Sequence, residues 1–391
     1  MKVPFQYSKI CILLAIVLLM AFSTLCASGQ APESSIASIP KPAKRLIGDY
    51  SYSSKYQTPP YTSKQIPYSK LTHIIHFCVG FYSDGTLYVA DGLIEPYLLR
   101  QAHKNGVKVL LGVCGPFNDF DNNPYALAAL VANLAVFVNQ HGYDGVDIDW
   151  EYPTIAETNT FYSLMEDLRE TFPSPDYLIS ADVPPWGNGG NGYGVPQVDQ
   201  FLDFFNVMMY DCAGPWTSDG QLNSQIIWDW NDTDPWECQP GGAANEAIAI
   251  FLQEGVEPSQ LNMGTPFYGY HYTTVSELWG ECSNASETKN GDCDWAAVAE
   301  NYGTFFKQRI NKLGWETFYD PIAQVPYMLR TDGKPGFGTY DDEYSTYYRV
   351  WYSDWYQNLG GTFIWSLDAD YDGQTQDLLE QAYTASLTPV N

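Results

Sequence analysis

Four acidic residues lie within one short, otherwise apolar or aromatic stretch between Asp144 and Pro153. They are Asp144, Asp147, Asp149 and Glu151. In an extended strand alternate side chains point to opposite faces, so the last three acids share one face at intervals of about 6.6 Å. Carboxylates this close do not all ionise at neutral pH, and at least one pKa is expected to rise. A carboxyl group that keeps its proton near neutral pH suits a general acid, so the stretch predicts acid–base catalysis.

Two other interpretations of this acidic stretch were weighed. A calcium loop also spaces acids at every second residue, but it needs a glycine after the third ligand, where this chain has Trp150, Tyr152 and Pro153. A solvated edge strand also carries acids, but here the opposite face presents Val146, Ile148 and Trp150, which are bulky and apolar. Catalysis is therefore the favoured interpretation.

The stretch also resembles the D-x-x-D-x-D-x-E signature of glycoside hydrolase family 18, the chitinases and their relatives, with all four acids in place. The resemblance implies that Glu151 protonates the scissile glycosidic oxygen while the substrate's own N-acetyl carbonyl attacks the sugar. Asp149 would orient the acetamide, and Asp147 would share a proton with Asp149. The side chain of Asp144 points to the opposite face of the strand, and it is expected to support the strand through backbone hydrogen bonds.

A second segment, which begins at Met208, resembles the family pattern M-x-Y-D-x-x-G-x-W. The resemblance implies that Met208 lies in the substrate site and that Tyr210 donates its hydroxyl to the acetamide. Asp211 would bind a sugar hydroxyl, and Trp216 would stack on a sugar beyond the cleavage point.

Two further aromatic residues match the family at the ends of late strands. Trp365 corresponds to the tryptophan that lies at the bottom of the sugar pocket in the family, and Tyr268 lies in the family's strand-seven motif. The chain departs from the family where Tyr270 replaces the usual arginine, and where residues 112–116 replace Ser-x-Gly-Gly-Trp. Both changes bear on the number of sugar subsites and leave the acids intact.

The elements that must position these residues alternate between strands and helices, which indicates a parallel α/β protein. Helical apolar spacing is clearest over 124–140. Eight such units predict a (β/α)8 TIM barrel over residues 44–386, with the chemistry at the carboxyl ends of the strands. The predicted strands cover residues 45–50, 73–79, 107–113, the acidic stretch, 177–183, 204–210, 261–267 and 361–367.

The connection between predicted strands seven and eight is too long for a single crossover. Residues 271–342 are therefore interpreted as a small α+β insertion, with a helical segment over 295–313. The resemblance agrees, because one large branch of family 18 carries an insertion at this place.

The amino terminus predicts export. Residues 1–28 combine Lys2 and Lys9 with an apolar run over 10–25 and small residues after it, as in a signal peptide, and 29–43 form a polar linker. An uncleaved anchor is the alternative. A secreted, extracellular protein without stable membrane association is expected.

Removal of the predicted signal peptide would leave six of the eight cysteines. This even number predicts disulfides without fixing their connectivity. Cys282 and Cys293 are the nearest pair along the chain; Cys212 with Cys238 and Cys78 with Cys114 would complete the set. Asn231 and Asn284 begin sequons for N-glycosylation.

The formal net charge of −27 disfavours nucleic acid and anionic membranes as partners. The histidines and cysteines form no zinc pattern, so neither a metal nor another cofactor is expected. The resemblance to family 18 implies a retaining endo-hydrolase of chitin or N-acetylglucosamine oligosaccharides, which we expect to be monomeric. The alternatives are an endo-β-N-acetylglucosaminidase that acts on N-glycans, and a chitin-binding lectin.

Overall fold

The computed structural model describes residues 40–121, 123–189, 191–229, 242–282, 293 and 296–387. Predicted features outside these ranges are the signal peptide, the linker before residue 40, Cys238 and both sequons. The chain from Lys41 onward forms one compact unit. No helix among the described residues has the length and apolar character needed to span a membrane.

Eight parallel strands close into a barrel, which confirms the predicted (β/α)8 fold. The strands of the described residues are β1 (Arg45–Ser51), β2 (His73–Phe81), β3 (Leu87–Tyr88), β4 (Lys108–Cys114), β5 (Gly145–Asp149), β6 (Leu178–Val183), β7 (Phe204–Val207), β8 (Leu261–Pro266), β9 (Tyr268–Tyr272), β10 (Ala297–Asn301), β11 (Trp315–Asp320), β12 (Val325–Arg330), β13 (Phe337–Thr339) and β14 (Gly361–Trp365). The barrel order is β1-β14-β8-β7-β6-β5-β4-β2, and pairing of β1 with β2 closes the ring.

Helices connect the barrel strands. The long helix α2 (Pro124–His141) begins after Asn123, whose side chain accepts a hydrogen bond from the Ala126 amide. It ends at Gly142, which has the left-handed conformation. The helices are α1 (Pro96–Lys104), α2 (Pro124–His141), α3 (Thr158–Thr171), α4 (Val195–Val198), α5 (Ala244–Gln253), α6 (Lys307–Arg309), α7 (Glu343–Trp351) and α8 (Asp377–Leu387).

The insertion forms a second, antiparallel sheet in the order β10-β9-β13-β12-β11. Its first strand, β9, begins at Tyr268, just before the predicted boundary. The predicted helix over 295–313 is wrong in its first part, because Ala297–Asn301 form β10. Antiparallel pairing with β9 outweighs the local helical pattern there, and helical turns begin only at Tyr302.

Two of the predicted disulfides are present. Cys78–Cys114 joins β2 to the neighbouring strand β4. Cys282–Cys293 closes a loop within the insertion. Cys212 is disulfide-bonded as well, while its predicted partner Cys238 lies outside the described residues.

The barrel interior combines an apolar cluster with buried polar groups. Inward-facing apolar side chains come from many strands and include Ile47, Ile75, Leu110, Phe204 and Phe363. Their alternation along each strand brings charged and amide side chains into the same interior. The polar groups buried there include Asp49, Asp147, Ser180, Asp182, Asn206 and Asn262.

Candidate active site

A cavity of about 330 Å³ opens at the carboxyl ends of the barrel strands. Asp149 and Trp365, which end β5 and β14, contribute to its wall. Seven of the nine predicted site residues line the cavity, and Asp147 and Trp216 do not. The full lining is Phe77, Asp149, Glu151, Tyr152, Asp182, Met208, Tyr210, Asp211, Tyr268 and Trp365.

Asp147 and Asp149 of β5, and Glu151 just after this strand, have three different environments. Asp147 is fully buried, Asp149 is half-buried, and Glu151 is exposed at the cavity mouth. Asp149 and Glu151 are hydrogen-bonded to one another, and burial together with the Glu151 charge raises the pKa of Asp149 well above its usual value. Trp150 points away from these acids and stacks on Phe117 at 5.1 Å between ring centroids.

Asp147 is held by neighbouring polar side chains. The Ser180 hydroxyl and the Asn206 amide, the latter at 3.1 Å, both donate to Oδ1 of Asp147. Burial raises the pKa of Asp147 to about 7, although these two hydrogen bonds act in the opposite direction. A carboxyl group in this state exchanges a proton readily near neutral pH.

A chain of side-chain hydrogen bonds leads from the far end of the barrel to Asp147. Arg45 Nε donates to Oδ1 of Asn262 at 2.8 Å, and Asn262 Nδ2 donates to Oδ1 of Asn206 at 2.9 Å. Asn206 then donates to Asp147. This series of hydrogen bonds from Arg45 through Asn262 and Asn206 to Asp147 is called the amide ladder below. It fixes the position of Asp147 from the amino-terminal side of the barrel.

Tyrosines of β9 position the acid that follows β7. Asp211 accepts hydrogen bonds from the hydroxyls of Tyr268 and Tyr270, the latter at 2.9 Å. Its backbone has φ of 62°, a left-handed conformation, and its amide donates to Oδ1 of Asn223 at 3.0 Å. Tyr210 packs edge-on against Tyr268, with ring centroids 6.0 Å apart.

Two tryptophans predicted to bind sugar lie in different settings. Trp365 lines the cavity and meets Phe77 edge-on at 4.8 Å between centroids. Trp216 lies outside the cavity lining, 41% exposed, and meets Tyr270 edge-on at 5.7 Å. Trp216 therefore presents an exposed ring beside Tyr270 and is not part of the cavity wall.

The sequence pattern of the family described as "Glycosyl hydrolases family 18" matches residues 45–370, most of the chain. The chain belongs to family 18. The match spans the barrel strands from β1 to β14 together with the insertion.

Individual family 18 relatives are similar to the chain at modest identity. The "Probable chitinase 10" of Drosophila melanogaster is 25% identical over 340 residues, which cover 79% of this chain and only 14% of that relative. The solved Group IV chitinase of Ostrinia furnacalis superposes with a TM-score of 0.78 at 22% identity, covering 88% of this chain and 100% of that one. Human YKL-39, described as a pseudo-chitinase with retained chitooligosaccharide binding, gives 0.76 at 23% identity with 88% and 100% coverage.

One departure from the family 18 pattern, Tyr270, contacts an acid of the site. Tyr270, which replaces the usual arginine, donates to Asp211 instead of presenting a cation. Lys and Arg are absent from the described cavity lining, whereas it includes four carboxyl groups. The cavity is therefore acidic without a compensating positive side chain in its wall.

Sequence reasoning missed three residues of this family 18 cavity: Phe77, Tyr152 and Asp182. A signal existed for Asp182, because it is an acid within the apolar run of β6. Asp49 carries the same signal in β1 and is fully buried in the barrel. In both strands the acid occupies a position whose side chain points into the barrel.

Asp144 lies away from the cavity, at the amino end of β5. Its Oδ2 accepts hydrogen bonds from the Val109 amide and from His103, each at 2.8 Å, and Lys108 donates to Oδ1. These contacts connect β5 to β4 and give Asp144 a structural setting, in the manner predicted.

Proposed function

We propose that this chain is a retaining endo-hydrolase of β-1,4-linked N-acetylglucosamine polymers, most simply a chitinase. The observation that carries the proposal is the meeting of Glu151, Asp149 and Tyr210 in one cavity with the aromatic ring of Trp365. Acid, acetamide-binding groups and an apolar platform are the components that cleavage of an N-acetylated sugar polymer requires. Family membership and the chitinases among the relatives support the same substrate class.

In the first proposed step Glu151 gives its proton to the glycosidic oxygen as the bond to the anomeric carbon breaks. The carbonyl oxygen of the substrate's acetamide forms a bond to that carbon and leaves an oxazolinium ion. Asp149 accepts a hydrogen bond from the acetamide N–H and stabilises the positive charge. Tyr210 donates its hydroxyl to the acetamide oxygen, which holds that oxygen in line for attack.

In the second step a water molecule attacks the anomeric carbon and the bond to the acetamide oxygen breaks. Glu151, now a carboxylate, takes the proton from that water and returns to its starting state. Two displacements at one carbon restore the original configuration, so the product retains the β anomer. Asp147 exchanges a proton with Asp149 as the charge on the acetamide appears and disappears.

The test is product release from a soluble chitin oligosaccharide, assayed beside its de-N-acetylated counterpart and a high-mannose glycopeptide. Cleavage of the acetylated oligomer alone supports the proposal and shows that the acetamide takes part. Cleavage of the glycopeptide in preference would identify the N-glycan endo-β-N-acetylglucosaminidase instead. Binding of the acetylated oligomer without cleavage of any substrate would identify a lectin.

Export completes the proposal. The basic start, the apolar run over 10–25 and the small residues after it favour secretion to the extracellular space. The secreted enzyme is proposed to be a monomer. The expected measurement is amino-terminal sequencing of the protein recovered from the medium of an expressing cell. A mature chain that begins near residue 29 supports export, and a chain retained with its full leader contradicts it.

A further inference from the structure

Two buried aspartates of the barrel lie outside the family signature and outside the mechanism proposed above. Asp49 lies on β1 and is fully buried, and Asp182 lies on β6 and is 3% exposed. Charged side chains are rarely buried without a partner, because desolvation costs several kcal/mol for each. Their presence in the core therefore calls for a function.

Asp182 is the immediate neighbour of Asp149. The two residues pair in register across the parallel strands β5 and β6, which lie about 4.8 Å apart, and both line the cavity. Oδ1 of Asp182 is buried without a hydrogen-bond partner, and so is Oδ1 of Asp149. Two carboxyl groups with free oxygens thus lie side by side at the floor of the site.

Asp49 lies across the barrel from Asp149 and Asp182. β1 and β6 are the first and fifth strands of the ring, which places them opposite one another. Both carboxyl oxygens of Asp49 are buried without a hydrogen-bond partner. Asp49 interacts electrostatically with Asp147, Asp149 and Asp182.

The charges that act on this pair of aspartates are negative. Desolvation, followed by repulsion from neighbouring acids, raises the pKa of both groups well above the usual value. Within the described part of the chain, no three carboxyl, histidine or cysteine side chains are arranged to hold a metal ion. The titratable groups that face Asp49 or Asp182 are Asp147 and Asp149 of β5, Tyr193 after β6, Tyr210 after β7 and Asp368 after β14.

We propose that Asp49 and Asp182 are positioning residues that share protons with Asp147 and Asp149. Four carboxyl groups so close cannot all ionise, so the cluster retains protons to a higher pH than the signature pair alone. With protons held by the neighbouring aspartates, Asp149 can accept the hydrogen bond of protonated Glu151, the proposed general acid. The inference rests on the proposed function and extends it to the pH range of the reaction.

The first test compares the pH profile of kcat, on the acetylated oligosaccharide, for the wild type and the variants Asp182→Asn and Asp49→Asn. Asparagine keeps the size and polarity of the side chain but removes the negative charge. A proton then leaves the remaining acids more easily, so the alkaline limb should move to lower pH by about one unit. Asp354→Asn is the matched control, because Asp354 is equally buried but interacts with Lys44 and Arg45 at the other end of the barrel.

An alkaline limb that stays in place in both barrel variants would overturn the proposal, even with lower kcat. A shift of the same size in the Asp354→Asn control would overturn it as well, because it would trace to overall charge. A shift in the two barrel variants, with the control unchanged, supports proton sharing. A role limited to folding would lower kcat equally at every pH and leave the shape of the profile unchanged.

A second measurement is independent of activity and separates failure of this inference from failure of the proposed function. If the wild type cleaves no oligosaccharide, thermal unfolding midpoints between pH 5 and pH 8 still report the buried carboxyl groups. Asp182→Asn should unfold at a higher temperature than the wild type at pH 8, with a smaller advantage at pH 5. A lower midpoint at every pH would show a purely structural aspartate and overturn the inference.

Discussion

Glu151 and Asp149 are two residues apart on one face, yet the protein gives them different surroundings. Glu151 reaches the open mouth of the cavity, while Asp149 is half-buried between Glu151 and the buried Asp147. Burial together with the charge of Glu151 raises the pKa of Asp149 well above its usual value, so this deeper carboxyl group retains its proton to a higher pH. The two carboxyl groups are therefore separated by depth in the barrel, and the acid and acetamide-binding roles proposed for them divide in the same way.

Substitution of Glu151 by glutamine should leave sugar binding intact and reduce kcat by about 10²–10⁴-fold, because the amide cannot donate the catalytic proton. Steady-state turnover and oligosaccharide binding by calorimetry measure the two effects separately. Glu170→Gln, an exposed change at the end of α3, is the matched control and should leave both unchanged. Equal turnover of Glu151→Gln and the wild type would rule out the proposed general acid.

Substitution of Tyr270 by phenylalanine removes one of the two hydroxyls that hold Asp211. If Asp211 binds a sugar hydroxyl, KM should rise about fivefold, since a hydrogen bond to a carboxylate contributes roughly 1 kcal/mol or more. The change in kcat should be smaller because Glu151 is untouched. The same substitution at the exposed Tyr356 is the control, and an unchanged KM for Tyr270→Phe would argue against a binding role for Asp211.

At the level of secondary structure, the barrel strands act together through the amide ladder. β1, β8, β7 and β5 each contribute one side chain to a continuous run of hydrogen bonds inside the barrel. Such a run is costly to interrupt, because each broken link leaves a buried polar group unsatisfied.

Substitution of Asn262 by leucine should destabilise the protein by about 2 kcal/mol or more, because it leaves Arg45 Nε and Asn206 Oδ1 without their partners. Urea unfolding measures the free energy, and the exposed Asn118→Leu is the control. We also expect a loss of kcat, since the support of Asp147 is lost. A variant as stable as the wild type would show that the ladder contributes nothing to the fold.

Sequence patterns predicted the barrel strands well because each has a buried, apolar face that repeats with the strand period. They failed at β10, where residues 297–301 pair with a strand nearly thirty residues earlier. Pairing between distant segments is not visible in local periodicity. Seven residues named by the family resemblance line the cavity, whereas Asp147 and Trp216 do not. Asp182 was missed because its proximity to Asp149 depends on the register of β6.

At the scale of the whole molecule, buried carboxyl groups connect stability to pH. Burial raises the pKa of Asp147, Asp354 and Asp370 to about 7. A carboxyl group with a raised folded-state pKa contributes stability that is complete below its unfolded value near 4 and is lost as pH rises through about 7. The net charge of −27 acts in the same direction through self-repulsion.

The midpoint of thermal unfolding should therefore fall as pH rises from 5 to 8 at constant ionic strength. Asp354→Asn should flatten this dependence and stabilise the protein by about 1–3 kcal/mol at pH 8, with little effect at pH 4. Differential scanning calorimetry across the pH range measures both. A stability that increases toward pH 8 would contradict the expected sign.

The amide ladder also has a direction. Arg45 can only donate, so it forces the oxygen of Asn262, and then the oxygen of Asn206, to face its end of the barrel. The amino group of Asn206 must consequently point at Asp147, whose Oδ1 also accepts from Ser180. That oxygen is fully occupied as an acceptor, so any proton that Asp147 carries sits on Oδ2. Arg45 at the base of the barrel, acting through two amides, and Ser180 beside Asp147 thus together determine which atom of Asp147 can hold the proton.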